Sequence, residues 1–362
     1  MWLKGDFHAH STLSDGVLPP ERFIAEAERE ELDFFAITDH NTWSYPAFAH
    51  SEHVLVIPGI EVTMPYGHFN VFSIDEAEPD WVQDLPEPGP VMRDDQRGRA
   101  VDLVETIARQ RLRASINHPL LFPWEWVDPA VPLAAFRYLE VWNDPTWPEN
   151  RLANPAAHAM WDRWLAAGLR VTAVGGSDFH NPEKTVRGDG VTVDGHRVGI
   201  PRTYVEATEA TPAAVLDAVD AGRVFVTMGP WLELTVDTGA GTAGMGAELP
   251  AGDDPMVIRA AARGEGTLEV RVVADSGLVA TAEGADPGLE HRWTGPRPSW
   301  IRLDVIQATE IVAFSNPIYF GPQPDKPDPD YGTFTDVSAG FEIVQQWNNQ
   351  QQEDENPWQA NA

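Results

Sequence analysis

Over its first 228 or so residues the chain alternates short apolar runs with amphipathic stretches of helical period. Residues 3–7, 33–38, 54–57, 69–73, 114–117, 138–142, 170–174 and 203–207 read as strands. Between them, 20–31 reads as a helix opened by Pro20, 98–113 has helical periodicity, 156–168 ends at Gly168 and 212–221 stops at Gly222. Strand–helix alternation of this kind predicts a parallel α/β sheet, open or closed into a barrel. An acidic, proline-rich stretch over 75–97 (Pro79, Pro86, Pro88, Pro90) interrupts the pattern and reads as a loop or lid over one face. From Trp231 the pattern changes to short β-type runs at 232–236, 256–261, 268–273, 300–306 and 311–315, separated by Gly, Pro and Asp turns. That predicts a small antiparallel β-sandwich. Beyond Gly321 the chain is rich in Pro, Asp, Gln and Asn without period, as expected of a disordered or draped tail. The expected units are therefore 1–228, 229–320 and 321–362, with no internal repeat.

Composition narrows the chemistry. With 43% hydrophobic residues among 362, the chain has material for a sizeable core, and a large domain with a smaller one is the natural division. It has no run of 18 apolar residues, so no transmembrane helix is expected. The N-terminus runs straight into a histidine motif without a leader, which reads as cytoplasmic, although a secreted form trimmed of its leader would look the same. Cysteine is absent, so disulfides, thiolate sites and cysteine nucleophiles are excluded together. Any metal must be held by His, Asp and Glu, a donor set suited to Zn, Mn or Fe(II). The net charge of −31, with lysine only at Lys4, Lys184 and Lys326, would repel phosphate backbones and argues against nucleic acid as a partner. The plainest reading of that charge is a solvated surface.

The histidines sit where strands end. The first predicted strand runs into His8-Ala9-His10-Ser11, with Asp15 five residues on. In an extended segment His8 and His10 face the same side and can grip one metal. The second ends in Asp39-His40, the third in Gly59-Ile60-Glu61, and Gly67-His68 opens the next. Further along come Asn117-His118-Pro119, Glu140 within 138–142, and Gly175-Gly176-Ser177-Asp178-Phe179-His180. Carboxyl-terminal strand ends share one face of a parallel barrel, so these residues would converge from distant parts of the chain. Any one histidine could be a loop residue bonded to a carbonyl; the repetition at one topological position is what argues for a site. His50, His53, His158, His196 and His291 lack that setting and read as ordinary surface or core residues.

His8-Ala9-His10-Ser11, Thr38-Asp39-His40, Gly59-Ile60-Glu61, Asn117-His118-Pro119 and Ser177-Asp178-Phe179-His180 resemble, in order, the motifs of the PHP (polymerase and histidinol phosphatase) superfamily. The wording Gly59-Ile60-Glu61-Val62-Thr63 and Gly67-His68-Phe69-Asn70 is similar to its carbaryl-hydrolase-like branch. The resemblance covers about 1–228 and extends more weakly to Ser315-Asn316-Pro317-Ile318-Tyr319. It implies an α/β fold, a distorted (β/α)7 barrel followed by the small antiparallel β-sandwich-like domain, and two or three divalent metal ions (Zn, Mn or Fe). Carried over, His8, His10, Glu61 and Asp178 would hold a first metal, Asp15, His40 and His180 a second, and bridging Glu61 with His68 and His118 a third.

Paired cations would lower the pKa of a bridging water toward neutrality and clamp an ester's leaving oxygens, the chemistry of a metal-dependent hydrolase. Asp39 is a candidate carboxylate for orienting an imidazole. Arg202 and Arg187 are candidates for gripping an anionic substrate, and Asn143 and Glu140 should border the pocket. A small phosphate ester leads narrowly over a carboxyl, carbamate or amide ester, because basic residues near the motifs are few. A third reading is a binding module with structural metals, for which the 14 tryptophans would be the evidence. An amidohydrolase bridged by a carbamylated lysine is excluded, since no lysine lies between Lys4 and Lys184. No G-x-S-x-G elbow supports a serine hydrolase.

Overall fold

The computed structural model describes residues 1–64, 67–85, 97–110, 112–122, 124–126, 131, 133, 136–187 and 190–322. In chain order its first elements are β1 (Trp2–Asp6), α1 (Pro20–Arg29), β2 (Phe34–Ile37), α2 (Tyr45–Phe48), β3 (Leu55–Met64) and β4 (Gly67–Phe72). A short 3-10 turn at Asp80–Asp84 leads on to α3 (Arg97–Arg109), β5 (Arg113–Ile116), β6 (Tyr138–Trp142), α4 (Asn150–Ala166) and β7 (Thr172–Gly175). The strand pair β8 (Thr185–Val186) and β9 (Thr192–Val193), then β10 (Arg202–Glu206), α5 (Pro212–Asp220) and β11 (Val224–Thr227), complete this half. Proline at the first helical position, where its missing N–H is not needed, opens both α1 and α5. Thr211 caps α5 by accepting the Ala214 N–H at 3.2 Å. The face of α1 that turns inward carries Phe23, Ile24 and Ala27, all buried.

The sheet is mixed, with strand order β11-β10-β1-β2-β3-β4-β5-β6-β7. Parallel pairing joins β1, β2 and β3, and again β5, β6 and β7. Between these blocks β4 runs antiparallel to both neighbours, and β10 and β11 are antiparallel additions beside β1. The expectation of a wholly parallel sheet is thus corrected. So is the third strand, expected to stop at 57. It continues to Met64 because β4 turns back along it, pairing Glu61 with Asn70 and Met64 with Gly67.

The two ends of this curved run meet. Beyond β1 and β7, Ala9 and Phe179 form a parallel bridge, with His10 N–H on Phe179 O at 3.0 Å and Asp178 N–H on His8 O at 2.9 Å. Lower down, the side chain of Asn316 stands in for a strand between β7 and β11. Its Oδ1 accepts the Ala173 N–H at 2.8 Å, and its Nδ2 donates to Ala173 O at 2.8 Å and Val224 O at 3.3 Å.

The rest of the described chain is β12 (Trp231–Asp237), β13 (Thr242–Gly244), β14 (Glu248–Leu249), β15 (Met256–Arg263) and β16 (Leu268–Ala274). It continues through β17 (Gly277–Gly284), β18 (Gly288–Trp293), β19 (Trp300–Gln307), β20 (Glu310–Ser315) and β21 (Ile318–Phe320). One sheet is β13-β12-β15-β18. The other strands join the first sheet, since β11 pairs with β20 across the expected boundary at 228. Alternate residues of β12 (Leu232, Leu234, Val236) and β15 (Met256, Ile258, Ala260, Ala262) bury against Val270, Val272, Leu303 and Val305 in a shared apolar layer. The opposite face of β19 lies on α4, where Arg302 meets Asp162 and Asp304 while His158 faces Asp304. Most of the expected lid, residues 86–96, and the tail from 323 lie outside the described residues.

Candidate metal centre

The inner residues lie on segments tied to their neighbours by backbone and side-chain hydrogen bonds. His8 and His10 continue β1 on one side of the chain, bringing their Nε2 atoms to 3.1 Å. The β1 and β2 extensions are stitched by Thr38, whose Oγ1 accepts the Ala9 N–H and donates to Ala9 O. Asp178 follows β7 with φ of 47°, and His118 follows β5 with φ of 25°. Left-handed backbone at a side-chain-bearing residue costs about 1–3 kcal/mol and is kept where the surroundings over-determine it. Gly176 is required by close approach: a Cβ there would stand 2.3 Å from His8 Cβ and 2.6 Å from Glu140 Oε1.

Glu61 is the centre. Fully buried in the middle of β3, it puts Oε1 at 3.2 Å from His8 Nε2, 3.2 Å from His68 Nδ1 and 3.4 Å from His118 Nε2. Its Oε2 lies 2.8 Å from His40 Nδ1 and 3.4 Å from His10 Nε2. Asp178 Oδ1 is 3.0 Å from His10 Nε2, 3.3 Å from His8 Nε2 and 3.5 Å from His180 Nδ1. At the solvent end Asp15, 58% exposed, approaches His180 at 3.2 Å and His40 at 3.6 Å. Three donor groups emerge that could each hold an ion: His8, His10 and Asp178; His10, Asp15, His40 and His180; and His40, Glu61 and His68. All nine residues expected as metal ligands therefore converge.

The electrostatics fit cations. Burial penalises the charge on Glu61, yet His8, His40 and His68 outweigh it and hold the carboxyl well below its ordinary range. Asp178 is likewise penalised by burial and held well below by His8, His10 and His180. Burial and the neighbouring imidazoles of His180 and His40 push His10 down to about 4. Burial also opposes charge on His180, but Asp15 and Asp178 raise it to about 9. Ring nitrogens crowd the carboxylate oxygens of Glu61 and Asp178 at 2.8–3.5 Å, and His10 Nδ1 and His118 Nδ1 are buried without a hydrogen bond. Nitrogen and oxygen lone pairs facing one another in this way are satisfied by divalent cations, and the donor set suits them.

Three expectations change. Asp39 does not orient an imidazole. It accepts the Ser11 N–H at 2.7 Å, the Ser11 hydroxyl at 2.7 Å and the Ser14 hydroxyl at 2.6 Å, so it fastens the loop that presents Asp15. Arg202 stays outside the cluster: strand alternation puts Thr203 on Gly175 at the seam and leaves Arg202 on the face it shares with Lys4 and Tyr204. Arg187 binds Glu149 at 2.7 and 2.8 Å and lies over the Trp147 ring, so its charge is already matched. Conversely, the sequence reading passed over His196. Its Nδ1 accepts the His180 N–H at 3.1 Å and its Nε2 meets Asp144 at 3.1 Å, so it backs His180. No strand-end context marked it.

No family model matches the chain. Among curated proteins it is similar to the 5'-3' exoribonuclease Rnm of Salmonella typhimurium, 32% identical over 84 residues. That match spans 20% of this chain and 29% of Rnm, so it covers less than a third of the relative's length. Among solved structures it is similar to a two-domain protein from Bacteroides vulgatus containing a predicted PHP-like metal-dependent phosphoesterase. The overlap has 18% identity and a TM-score of 0.47, over 88% of this chain and 95% of that one. It is also similar to the lesion-specific endonuclease EndoQ of Pyrococcus furiosus, with 15% identity and a TM-score of 0.41, over 63% and 58% of the two chains. Both overlaps are loose. Among the described residues no helix is long and apolar enough to cross a membrane.

Proposed function

We propose that this chain is a metal-dependent hydrolase of the PHP superfamily, in its carbaryl-hydrolase-like branch, and that it cleaves a small phosphate ester. The observation that carries the reading is Glu61: one buried carboxylate within 2.8–3.4 Å of five imidazoles drawn from four strand ends. On this reading β1 to β7 with their helices are a distorted (β/α)7 barrel occupying 1–228, and 229–320 is an accessory β-sandwich. His8, His10, Glu61 and Asp178 would hold one ion, Asp15, His40 and His180 a second, and Glu61, His68 and His118 a third, with Zn, Mn or Fe as the metals.

Divalent cations bound there supply Lewis acidity and a nucleophile available at neutral pH. The chain's own part is to hold the donors in place and leave one end open. Asn117 donates to Glu61 Oε1 at 2.9 Å and fixes the central carboxylate. Asp39, through Ser11 and Ser14, holds the rim loop, and half-exposed Asp15 marks the side from which an ester would enter. The net charge of −31 favours a small anion over a long polyanionic strand, although the likeness to an exoribonuclease makes nucleotide esters worth including in any panel.

A carboxyl or carbamate ester is the second reading. It is favoured by the matched charge of Arg187 and the outward face of Arg202, which leave few side-chain cations for a phosphate. Metal analysis with a panel of phosphate monoesters, diesters, nucleotides and carboxyl esters tests both, on wild type and Asp178→Asn. The variant should lose metal and turnover together. Wild-type turnover in the metal-depleted variant would sink the hydrolase assignment.

A further inference from the structure

Glu140, on β6 and 2% exposed, belongs to none of the three donor groups, yet it touches His8 of one group from behind and reaches His118 as well. Its Oε1 lies 2.9 Å from His8 Nδ1. Its Oε2 accepts the backbone N–H of His118 at 2.8 Å and the Nδ2 of Asn143 at 3.1 Å. The same Asn143 amide donates to Asp178 Oδ2 at 3.2 Å. The orientation of that amide is forced, because its Oδ1 accepts from Asn150 Nδ2 at 2.9 Å. Asn154 then clamps the Asn143 backbone, accepting its N–H at 3.1 Å and donating to its carbonyl at 2.8 Å. The start of α4 thus holds Asn143, and Asn143 holds two carboxylates.

We propose that Glu140 is a positioning residue that fixes the tautomer of His8, with Asn143 keeping Glu140 and Asp178 in register; this rests on the metal-centre reading above. An ionised carboxylate has only acceptors, so the ring nitrogen it faces must carry the proton. With a cation bound, His8 would keep Nδ1–H toward Glu140 and turn an Nε2 lone pair to the point it shares with His10, Glu61 and Asp178, which lie 3.1, 3.2 and 3.3 Å away. A ring nitrogen pinned in this way both orients the ligand and raises its basicity. Asn143 performs the matching task for Asp178. By occupying Oδ2 it leaves Oδ1, 3.0 Å from His10 Nε2, as the oxygen presented to the centre. Asp39, adjacent in sequence to His40, does nothing comparable.

Glu140→Gln tests the assignment with the shape preserved. Two N–H groups converge on the Oε2 position, so the carboxamide oxygen must sit there and its NH2 must face His8 Nδ1. That nitrogen then becomes the acceptor, and the proton moves to Nε2, where it blocks coordination. Zinc titrations of chelator-stripped protein should show the affinity of one site weakened by about 10- to 100-fold. In nitrogen-15 spectra of the zinc-loaded protein, His8 should read Nδ1–H and ligated in wild type, Nε2–H and unligated in the variant. Unchanged affinity, or weakened affinity with His8 still Nδ1–H, overturns the assignment. Should Glu140→Gln fail to fold, Asn143→Ala decides: a smaller loss of zinc affinity supports the arrangement, and wild-type affinity overturns it. Wild type that takes up no zinc removes the metal centre itself and this assignment with it.

Discussion

Replacing Glu61 by Gln removes one unit of charge from the centre and almost nothing else. The orientation of the new side chain is set by its surroundings. Asn117 Oδ1 accepts the Asn70 N–H at 3.3 Å, so Asn117 Nδ2 must point at position 61 and requires an oxygen there. The amide nitrogen of the variant is driven to the Oε2 side, facing His40 and His10, where wild type offers a carboxylate oxygen. A unit charge about 4 Å from a cation, at an effective dielectric constant of about 20, contributes about 4 kcal/mol per unit of the ion's charge, so its loss weakens ion binding by roughly a thousandfold or more. At an ion concentration of about 100 times the wild-type Kd, binding stabilises the native state by about 2.7 kcal/mol, and a thousandfold weaker site gives almost none. For a chain of this size that difference is on the order of 5 °C in Tm. The assay is thermal unfolding of chelator-treated protein with and without added Mn2+ or Zn2+, beside metal content by mass spectrometry. Wild type should gain the shift and Glu61→Gln should not. Equal shifts and equal metal content in the two proteins would refute Glu61 as the bridging group.

Arg202→Ala should leave kcat/KM within about twofold of wild type, because its strand face is turned from the cluster; a tenfold fall, about 1.4 kcal/mol of transition-state stabilisation, would put the guanidinium back at the substrate. Asp304 gives an acid-stability prediction. Burial raises its carboxyl, but Arg302 and His158 outweigh burial and hold it well below the usual range. Its stabilisation is therefore complete above about pH 4, the unfolded carboxylate value, and is lost as pH falls toward the native one. Metal-free wild type should lose Tm steadily below about pH 4, whereas Asp304→Asn, about 3–5 kcal/mol less stable near neutrality from an incompletely paired buried Arg302, should show a flatter acid limb. Parallel limbs would show that Asp304 does not govern it. Asn316→Ala removes three hydrogen bonds at the seam and leaves the Ala173 N–H and C=O without that partner. It should cost about 2–4 kcal/mol in denaturant unfolding, and a loss under 1 kcal/mol would mean that the seam closes without it.

The convergence of His8 and His10 was legible because period-two alternation is local: the two must share a face wherever the strand goes. Strand β6 and the proline starts of α1 and α5 were readable for the same reason. What failed depended on partners far along the chain. Alternation cannot report the direction of the neighbouring strand, so β4 read as parallel. The adjacency of Asp39 to His40 suggested a partnership that extended backbone forbids, since neighbouring side chains point to opposite faces. The carboxylate that does back an imidazole is Glu140, 132 residues from His8. Strands β17 and β18 escaped notice because their burial pattern is largely exposed and their sequence gives no apolar alternation.

These errors share a physical origin that also explains the architecture. A cluster of nine donor side chains within one small volume cannot be built on a single element, because each strand end contributes only one to three of them. The donors come instead from the ends of β1, β2, β5 and β7 and from the β3–β4 hairpin, which reaches beyond the parallel strands to bring Glu61 and His68 together. Such a cluster packs ring nitrogens and carboxylate oxygens lone pair to lone pair, and the sheet must hold its ends together around it. The Ala9–Phe179 bridge does so within the cluster, and Asn316 does so below it, from the strand-rich half of the chain. The β-rich half is thus coupled to the centre through closure of the sheet, and a change at Asn316 should reach metal affinity only by loosening β7, never by removing a donor.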